Sequence, residues 1–338
     1  MKVDNTYKID FVITWLDGND PNWKKEHDCC SKKINKSVDN SEARFRNWDL
    51  LRYWFRGVEK YAPWVNNIYF VTWGHIPCWL NVSHPKLKVV KHEDFIPSEY
   101  LPLFNSCAIE FFFNRIKGLS DRFVYFNDDF FLIDSVKPDR FFKNGLPCDI
   151  GSWNYVSSQG GIHGCTVFSA IDVLNKHFDK REVTKKTFSK WFNLKYPKRS
   201  LVNLQFLMAP FFVGFLDHHL PQGYLKSTFD NVWEFCGNDV LRTCRNKFKS
   251  YEDVHIWLVR YWQLASGKFT PYNVMKDGMY YDLSDKSMDT IVDLIKYQKK
   301  KIIVLNDNQS LVRDFENDKE KLLYAFNYIL PNKSSFEL

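Results

Sequence analysis

The stretch FVYFNDDFFLID, residues 123–134, runs four apolar residues directly into Asn127-Asp128-Asp129. A strand without polar alternation is one buried on both faces, as in the middle of a parallel sheet. Carboxylates just past its C-terminal end stand where open α/β sheets bind their ligands. Two acids there can hold a divalent cation against phosphate oxygens or position an attacking hydroxyl. Paired acids also serve as turn and cap residues, so their meaning depends on the rest of the chain.

Working outward, KIDFVITWLDGNDP (residues 8–21) reads as a second buried strand closed by turn residues. Residues 22–43 are polar and predict a mobile loop or irregular helix. From Trp48 to Lys60 the spacing of Leu51, Phe55 and Val58 is helical, with Asp49 in the first turn. IYFVTWG (68–74) and PKLKVVKH (85–92) are further strands. NSCAIEFFFNRIKG (105–118) predicts an amphipathic helix with Ile109, Phe112, Phe113 and Ile116 on one face and Gly118 as its C-cap. This alternation predicts an α/β fold with a doubly wound, mostly parallel sheet.

Beyond residue 140 the pattern changes. SSQGGIHG (157–164) is glycine-rich but lacks phosphate-loop spacing and predicts only backbone flexibility. Residues 170–235 and 251–265 read mainly as helices, KKKIIVLND (299–307) as a returning strand, and EKLLYAFNYILP (320–331) as a closing helix. The expected organisation is an α/β half over 1–140 and a mainly helical cap over 141–338. The two would integrate into one catalytic domain with a cleft between them.

The chain has 338 residues, with 47 Lys and Arg against 40 Asp and Glu, a formal charge of +7. That modest surplus fits an anionic substrate or a peripheral hold on an acidic membrane surface. It predicts no nucleic-acid partner, since no aromatic-plus-basic RNA-binding signature accompanies it. The longest apolar run, LMAPFFVGFL (207–216), is about half the roughly 20 residues of a membrane-spanning helix. The first residues lack the apolar core of a signal peptide. The eight cysteines form no C-x-x-C pair and are expected to be reduced cytosolic thiols.

Several side chains stand out as candidates for chemistry. Asp10 is a carboxylate among buried strand neighbours, which is costly unless it has a partner or a task. Glu110 interrupts an apolar helix face, although a solvent-facing position explains it equally well. Arg44, Arg46, Arg52 and Arg56 cluster around a helix N-terminus, a combination suited to phosphate. Their alternative reading is a solvated helix face. His218-His219-Leu220-Pro221 offers an imidazole beside a rigid proline, able to act as general base or phosphate donor.

Four blocks of the chain resemble the Stealth family, sugar-1-phosphate transferases of bacterial polysaccharide loci that also include the animal N-acetylglucosamine-1-phosphotransferase. IDFVITWLDGNDP resembles the first family block. Residues 44–81 with 101–132, including RFRNWDLLRYWF and RFVYFNDDFFL, resemble the long second. DHHLPQGYLKSTFDNVW (217–233) resembles the third, and FKSYEDVHIWLVRYWQLASGKF (248–269) the fourth. The resemblance implies transfer of a hexose-1-phosphate or N-acetylhexosamine-1-phosphate from a nucleotide sugar to a polysaccharide or lipid-linked acceptor. UMP would leave if the donor is a UDP-sugar.

By motif position, Asp10, Glu110, Asn127, Asp129 and His219 match polar residues linked to activity in the family. The roles this implies are His219 or Asp10 as proton acceptor, Asp129 with Asp128 on Mg2+ or Mn2+, and the Asn127 amide on a sugar or phosphate oxygen. Arg44, Arg46, Arg52, Lys226 and Lys249 would balance the diphosphate. Two departures affect charge: Asn47 stands where relatives carry Asp, and Lys249 where Arg is common, a point charge replacing a bidentate fork. The expected location is the cytoplasm, with peripheral contact at the inner membrane face. The competing readings are a metal-dependent glycosyltransferase that moves only the sugar and releases UDP, and a non-catalytic carbohydrate-binding protein.

Overall fold

In the computed structural model, residues 7–33, 46–284, 287–307 and 314–338 are described. β1 (Asp10–Thr14) is followed by α1 (Pro21–Lys33), a regular helix where a mobile loop or irregular helix was expected. The Asp20 carboxylate accepts from the backbone N–H groups of Asn22 and Trp23, both at 2.9 Å, and Pro21 occupies the first turn. α2 (Leu51–Tyr61) starts later than the spacing suggests. Asp49 stands outside it in a left-handed backbone conformation, φ 56°, and pairs with Lys319 in place of the helix dipole.

β2 (Ile68–Thr72) and β3 (Leu87–Lys91) come next. α3 (Ser106–Phe111) is shorter than expected and gives way to a tight turn at Phe113–Arg115. Phe111, Phe112 and Phe113 are all fully buried, more than one face of a regular helix can cover. β4 (Arg122–Phe126), β5 (Phe130–Leu132), β6 (Phe142–Lys143) and β7 (Leu146–Asp149) complete the first half.

The second half holds α4 (Gly161–Asn175), α5 (Lys180–Lys186), α6 (Phe188–Trp191), α7 (Pro197–Phe206), β8 (Gln222–Leu225), α8 (Lys226–Arg245) and α9 (Trp257–Ala265). β9 (Thr270–Pro271), α10 (Val274–Asp277), β10 (Gly278–Asp282), α11 (Met288–Lys296), β11 (Ile302–Asn306) and α12 (Phe315–Ile329) follow. Of the glycine-rich 157–164 segment, residues 157–160 form a turn and residues 161–164 open α4. A Cβ on Gly164 would stand 2.5 Å from the Ser157 carbonyl oxygen, so that close approach needs glycine.

The main sheet has the order β3-β2-β1-β4-β8, its first four strands parallel and β8 antiparallel to β4. Phe11 and Ile13 of β1 enter one core, which α2 covers, and Val12 enters the other, which α3, α8 and α9 cover. Burial on both faces is what the unbroken apolar strands foretold. β3 is buried only at Leu87 and Val90 and exposes Lys88 and Lys91, as suits an edge strand. β8 joins the main sheet, β11 pairs with β5, and β9 pairs with β7, so both halves of the chain build the same framework.

The chain winds outward from β1 through β2 to β3, then returns to the other side of β1 as β4. The junction of β1 and β4 is therefore the topological switch point, where a crevice opens at the strands' carboxyl ends. Below it, α2 packs hard against β5: a Cβ on Gly57 would lie 2.6 Å from the Leu132 carbonyl oxygen. Gly57→Ala is expected to lose about 1–3 kcal/mol despite its better helix propensity, read as a lowered Tm.

Candidate active site

Two cavities open at this switch point. The larger, about 400 Å3, is walled by Trp15–Gly18 after β1, Asn127–Asp129 after β4, Arg46–Trp48 before α2, His219, and the end of β11. The second, about 310 Å3, is lined by Glu110, Tyr125, Lys249, His92 and the rings of Trp23 and Trp73. Trp15, Leu16, Asn127 and Asp128 belong to both.

A tight turn presents the acids. The Phe130 N–H donates to the Asn127 carbonyl at 3.2 Å, which reverses the chain between β4 and β5 and leaves Asp128 and Asp129 at the crevice. Asp128 is exposed through the cavity mouth, yet protein surrounding it pushes its carboxyl up to about 6. Burial, then the neighbouring Asp128 charge, push Asp129 well above the usual carboxylate range. Asp129 Oδ1 is buried without a hydrogen-bond partner among the described residues. Such an oxygen wants a cation or a donor from a ligand.

Glu110 projects from α3 into the second cavity, 8% exposed. Tyr125 donates to its Oε1 at 2.9 Å, and the Tyr125 hydroxyl lies 3.2 Å from that of Thr14 on β1. Burial raises the Glu110 carboxyl to about 7, against the lowering pull of the Tyr125 hydrogen bond and the Lys249 charge. A base with that pKa suits proton transfer near neutral pH.

His219 enters the first cavity from the segment before β8. Its backbone is left-handed, φ 43°, and its N–H donates to the Asp217 carboxylate at 3.1 Å. Edge contacts with Phe130 and Tyr280, ring centres 5.4 and 5.2 Å away, orient the imidazole. Burial lowers its pKa, only partly offset by Asp217, so the ring is neutral at pH 7. The adjacent His218 turns inward instead, 3.5 Å from Asp149, which Arg260 grips at 2.8 and 3.0 Å. That buried ion pair anchors the segment from behind.

The structure thus brings together Glu110, Asn127, Asp128, Asp129, His219 and Lys249 from the expected set. Asp10 is a correction. It sits at the opposite, amino-terminal end of β1, fully buried, and accepts from Asn66 Nδ2 at 2.7 Å, Asn67 N–H at 3.0 Å and Ser120 N–H at 2.7 Å. Its task is to tie the loops before β2 and β4 to the start of β1. Asp10→Ala is expected to cost about 2–4 kcal/mol by orphaning those donors, with residual turnover per folded molecule preserved. Urea unfolding and an active-site-normalised rate check both halves of that expectation.

The expected phosphate cations need correction too. Lys226 follows β8, whose antiparallel run pairs Leu225 with Arg122, so Lys226 lies at the sheet edge away from the crevice. Arg52 stacks over Trp79, 5.0 Å from its centre, outside both cavities. Arg46 does reach the cavity wall, but its Nε donates to Asp307 at 2.6 Å and its second arm holds the same carboxylate, so its charge is already matched. Arg44 lies outside the described residues. Tyr125 was not singled out from the sequence, although it is the one side chain with a polar atom in the run FVYF.

Among the described residues, no group of three or more His, Cys, Asp and Glu could hold a metal alone. The adjoining Asp128 and Asp129 still fit Mg2+, which takes one or two carboxylates and completes its shell with water and substrate phosphate. The unpartnered Asp129 oxygen is the observation that favours the fit.

A near-neutral carboxyl, a neutral imidazole and paired acids around the switch point of a doubly wound sheet make this an α/β group-transfer enzyme. Residues 44–148 match the profile of Stealth protein CR2, conserved region 2. The chain is 43% identical over 334 residues to the capsular polysaccharide phosphotransferase WcwK of Streptococcus pneumoniae, spanning 98% of this chain and 99% of that protein. It is 37% identical over 335 residues to the receptor polysaccharide phosphotransferase WefC of Streptococcus gordonii, at 98% and 99% coverage. It is 36% identical over 338 residues to the exopolysaccharide phosphotransferase cps2G of Lactiplantibacillus plantarum, at 100% and 98%. The chain belongs to the Stealth family of polysaccharide phosphotransferases.

Proposed function

We propose that the protein transfers a hexose-1-phosphate or N-acetylhexosamine-1-phosphate from a UDP-sugar to a hydroxyl of a polysaccharide or lipid-linked acceptor. The acceptor oxygen forms a bond to the sugar-bearing phosphorus, and the bond from that phosphorus to the bridging oxygen breaks. UMP leaves with that oxygen, and a sugar phosphodiester remains. The observation that carries this reading is the pair of cavities joined at Asn127 and Asp128, with a base on one side and an imidazole on the other.

In this mechanism Glu110, aligned by Tyr125, accepts the hydroxyl proton. This revises the expectation that His219 or Asp10 does so: Asp10 is remote, and the Glu110 pKa of about 7 matches the task. His219 hydrogen-bonds a phosphoryl oxygen from the opposite side, and the Asn127 amide fixes a second one. Asp128 and Asp129 would hold Mg2+ or Mn2+, which when bound neutralises charge on the diphosphate. Lys249 adds a positive charge beside Glu110. A lipid-linked acceptor would place the enzyme against the inner membrane face.

The test is a donor screen with purified protein, Mg2+ or Mn2+, and a panel of nucleotide sugars, reading the released nucleotide by mass. A nucleoside monophosphate supports phosphotransfer. A nucleoside diphosphate returns the glycosyltransferase alternative.

A further inference from the structure

α7 is folded inside out. Its buried residue is a polar one, Asn203, which takes the Trp153 N–H at 2.8 Å and donates to the carbonyls of Gly151 at 2.8 Å and Trp191 at 2.7 Å. Its leucines face solvent: Leu201 is 65% exposed and Leu204 52%. Those positions share one helical face, which continues to Met208, 87% exposed just past the helix end. Leu194 on the approach and Phe211 beyond are exposed as well, at 94% and 55%. Single exposed apolar residues are ordinary, but a run of them on one side of one element marks an interaction surface.

This surface is built, not frayed. Besides the Asn203 fork, the buried Lys180 ammonium donates to the carbonyls of Phe206 at 2.6 Å and Ala209 at 2.9 Å, closing the end of α7. The apolar side chains are held outward by a polar underside.

Its charge identifies what covers it. Residues 180–211 contain eight Lys and Arg against a single acid, Glu182, and five of the eight, Arg181, Lys185, Lys186, Lys195 and Lys198, are exposed. That surplus equals the formal +7 of the whole chain, so the other residues balance to zero. Lys195 and Lys198 are exposed on the segment that carries the apolar face, and Lys186 is exposed at the end of α5. A second copy would bring like charges together, whereas an anionic bilayer offers phosphates to the lysines and an acyl boundary to the leucines. Among the described residues no helix is long and apolar enough to cross a membrane.

We infer that α7, with the chain from Leu194 to Phe211, is the surface that docks this protein on an anionic lipid bilayer. From Phe211 the chain passes through the buried Phe212 and Phe215 and reaches His219, so the docking face is continuous in sequence with the catalytic segment. The inference does not depend on which bond the enzyme breaks.

Flotation of the purified full chain with phosphatidylglycerol-containing vesicles, and with phosphatidylcholine alone, tests it. The parent is expected to float with the anionic vesicles, and added salt to weaken binding. Leu201→Glu with Leu204→Glu and Met208→Glu, or separately Lys186→Glu with Lys198→Glu, should each cut partitioning by about tenfold or more, with circular dichroism unchanged. No binding by the parent at low salt, or variants that bind as well as the parent, would overturn it. So would a dimer that the apolar variant dissociates while vesicles are ignored. No nucleotide sugar is present, so this outcome is separate from that of the transferase proposal.

Discussion

Glu110→Gln is expected to lower turnover about a hundred- to ten-thousand-fold and to abolish a pH limb near 7. General-base catalysis is worth that much, and the amide keeps the Tyr125 hydrogen bond without accepting a proton. Only the carboxylate can take the hydroxyl proton, so in the parent the rate climbs as pH rises through about 7. Tyr125→Phe supplies the control. The Tyr125 hydrogen bond lowers the Glu110 pKa, so its loss should move the limb to higher pH while leaving the base in place. A pH–rate profile of kcat/KM on parent and both variants reads all three expectations. An unshifted limb in Tyr125→Phe would point to a different base.

The second large effect is at Asp129, where activity and stability should move in opposite directions. Asp129→Asn is expected to reduce turnover by about a hundred- to thousand-fold, the loss typical when a charge-stabilising group is removed from a reacting phosphoryl centre. The same change should raise Tm at neutral pH. Burial and the Asp128 charge hold the Asp129 pKa above its unfolded value, so the folded state binds that proton more tightly than the unfolded chain. Stability from this group is therefore present at low pH and lost as pH rises through the folded pKa. A neutral amide at 129 removes the penalty of two adjoining carboxylates. Thermal melts across pH 4–8 should show the gain growing toward the alkaline end.

The sheet was legible in sequence because strands buried on both faces leave an unbroken apolar record, as at residues 11–13 and 123–126. α1 was not read as a regular helix, although Asn19-Asp20-Pro21 sets an N-cap acid before a first-turn proline. The polar composition of residues 22–33 hid it. Asp10 was correctly marked as an acid needing partners, but those partners, at 66, 67 and 120, have no local signature. Lys226 failed for a topological reason: nothing in the four residues QGYL reveals that β8 runs antiparallel and carries the lysine to the wrong edge. Arg46 failed because Asp307, 261 positions away, captures it. The NDD turn, Glu110 and His219 do meet at the crevice, and each was marked in the sequence by a family motif as well as by its chemistry. α7 shows the limit of periodicity, which places leucines on one face without saying whether that face looks inward.

The central claim is that the reaction at this crevice breaks a phosphorus–oxygen bond and leaves the sugar's own C1–O bond intact. A donor carrying 18O between C1 of the sugar and the β-phosphorus tests it in one mass measurement. Recovery of the label in the phosphodiester of the product, with unlabelled UMP released, is the predicted result. Recovery of the label in free UDP, with none in the polymer, would contradict it.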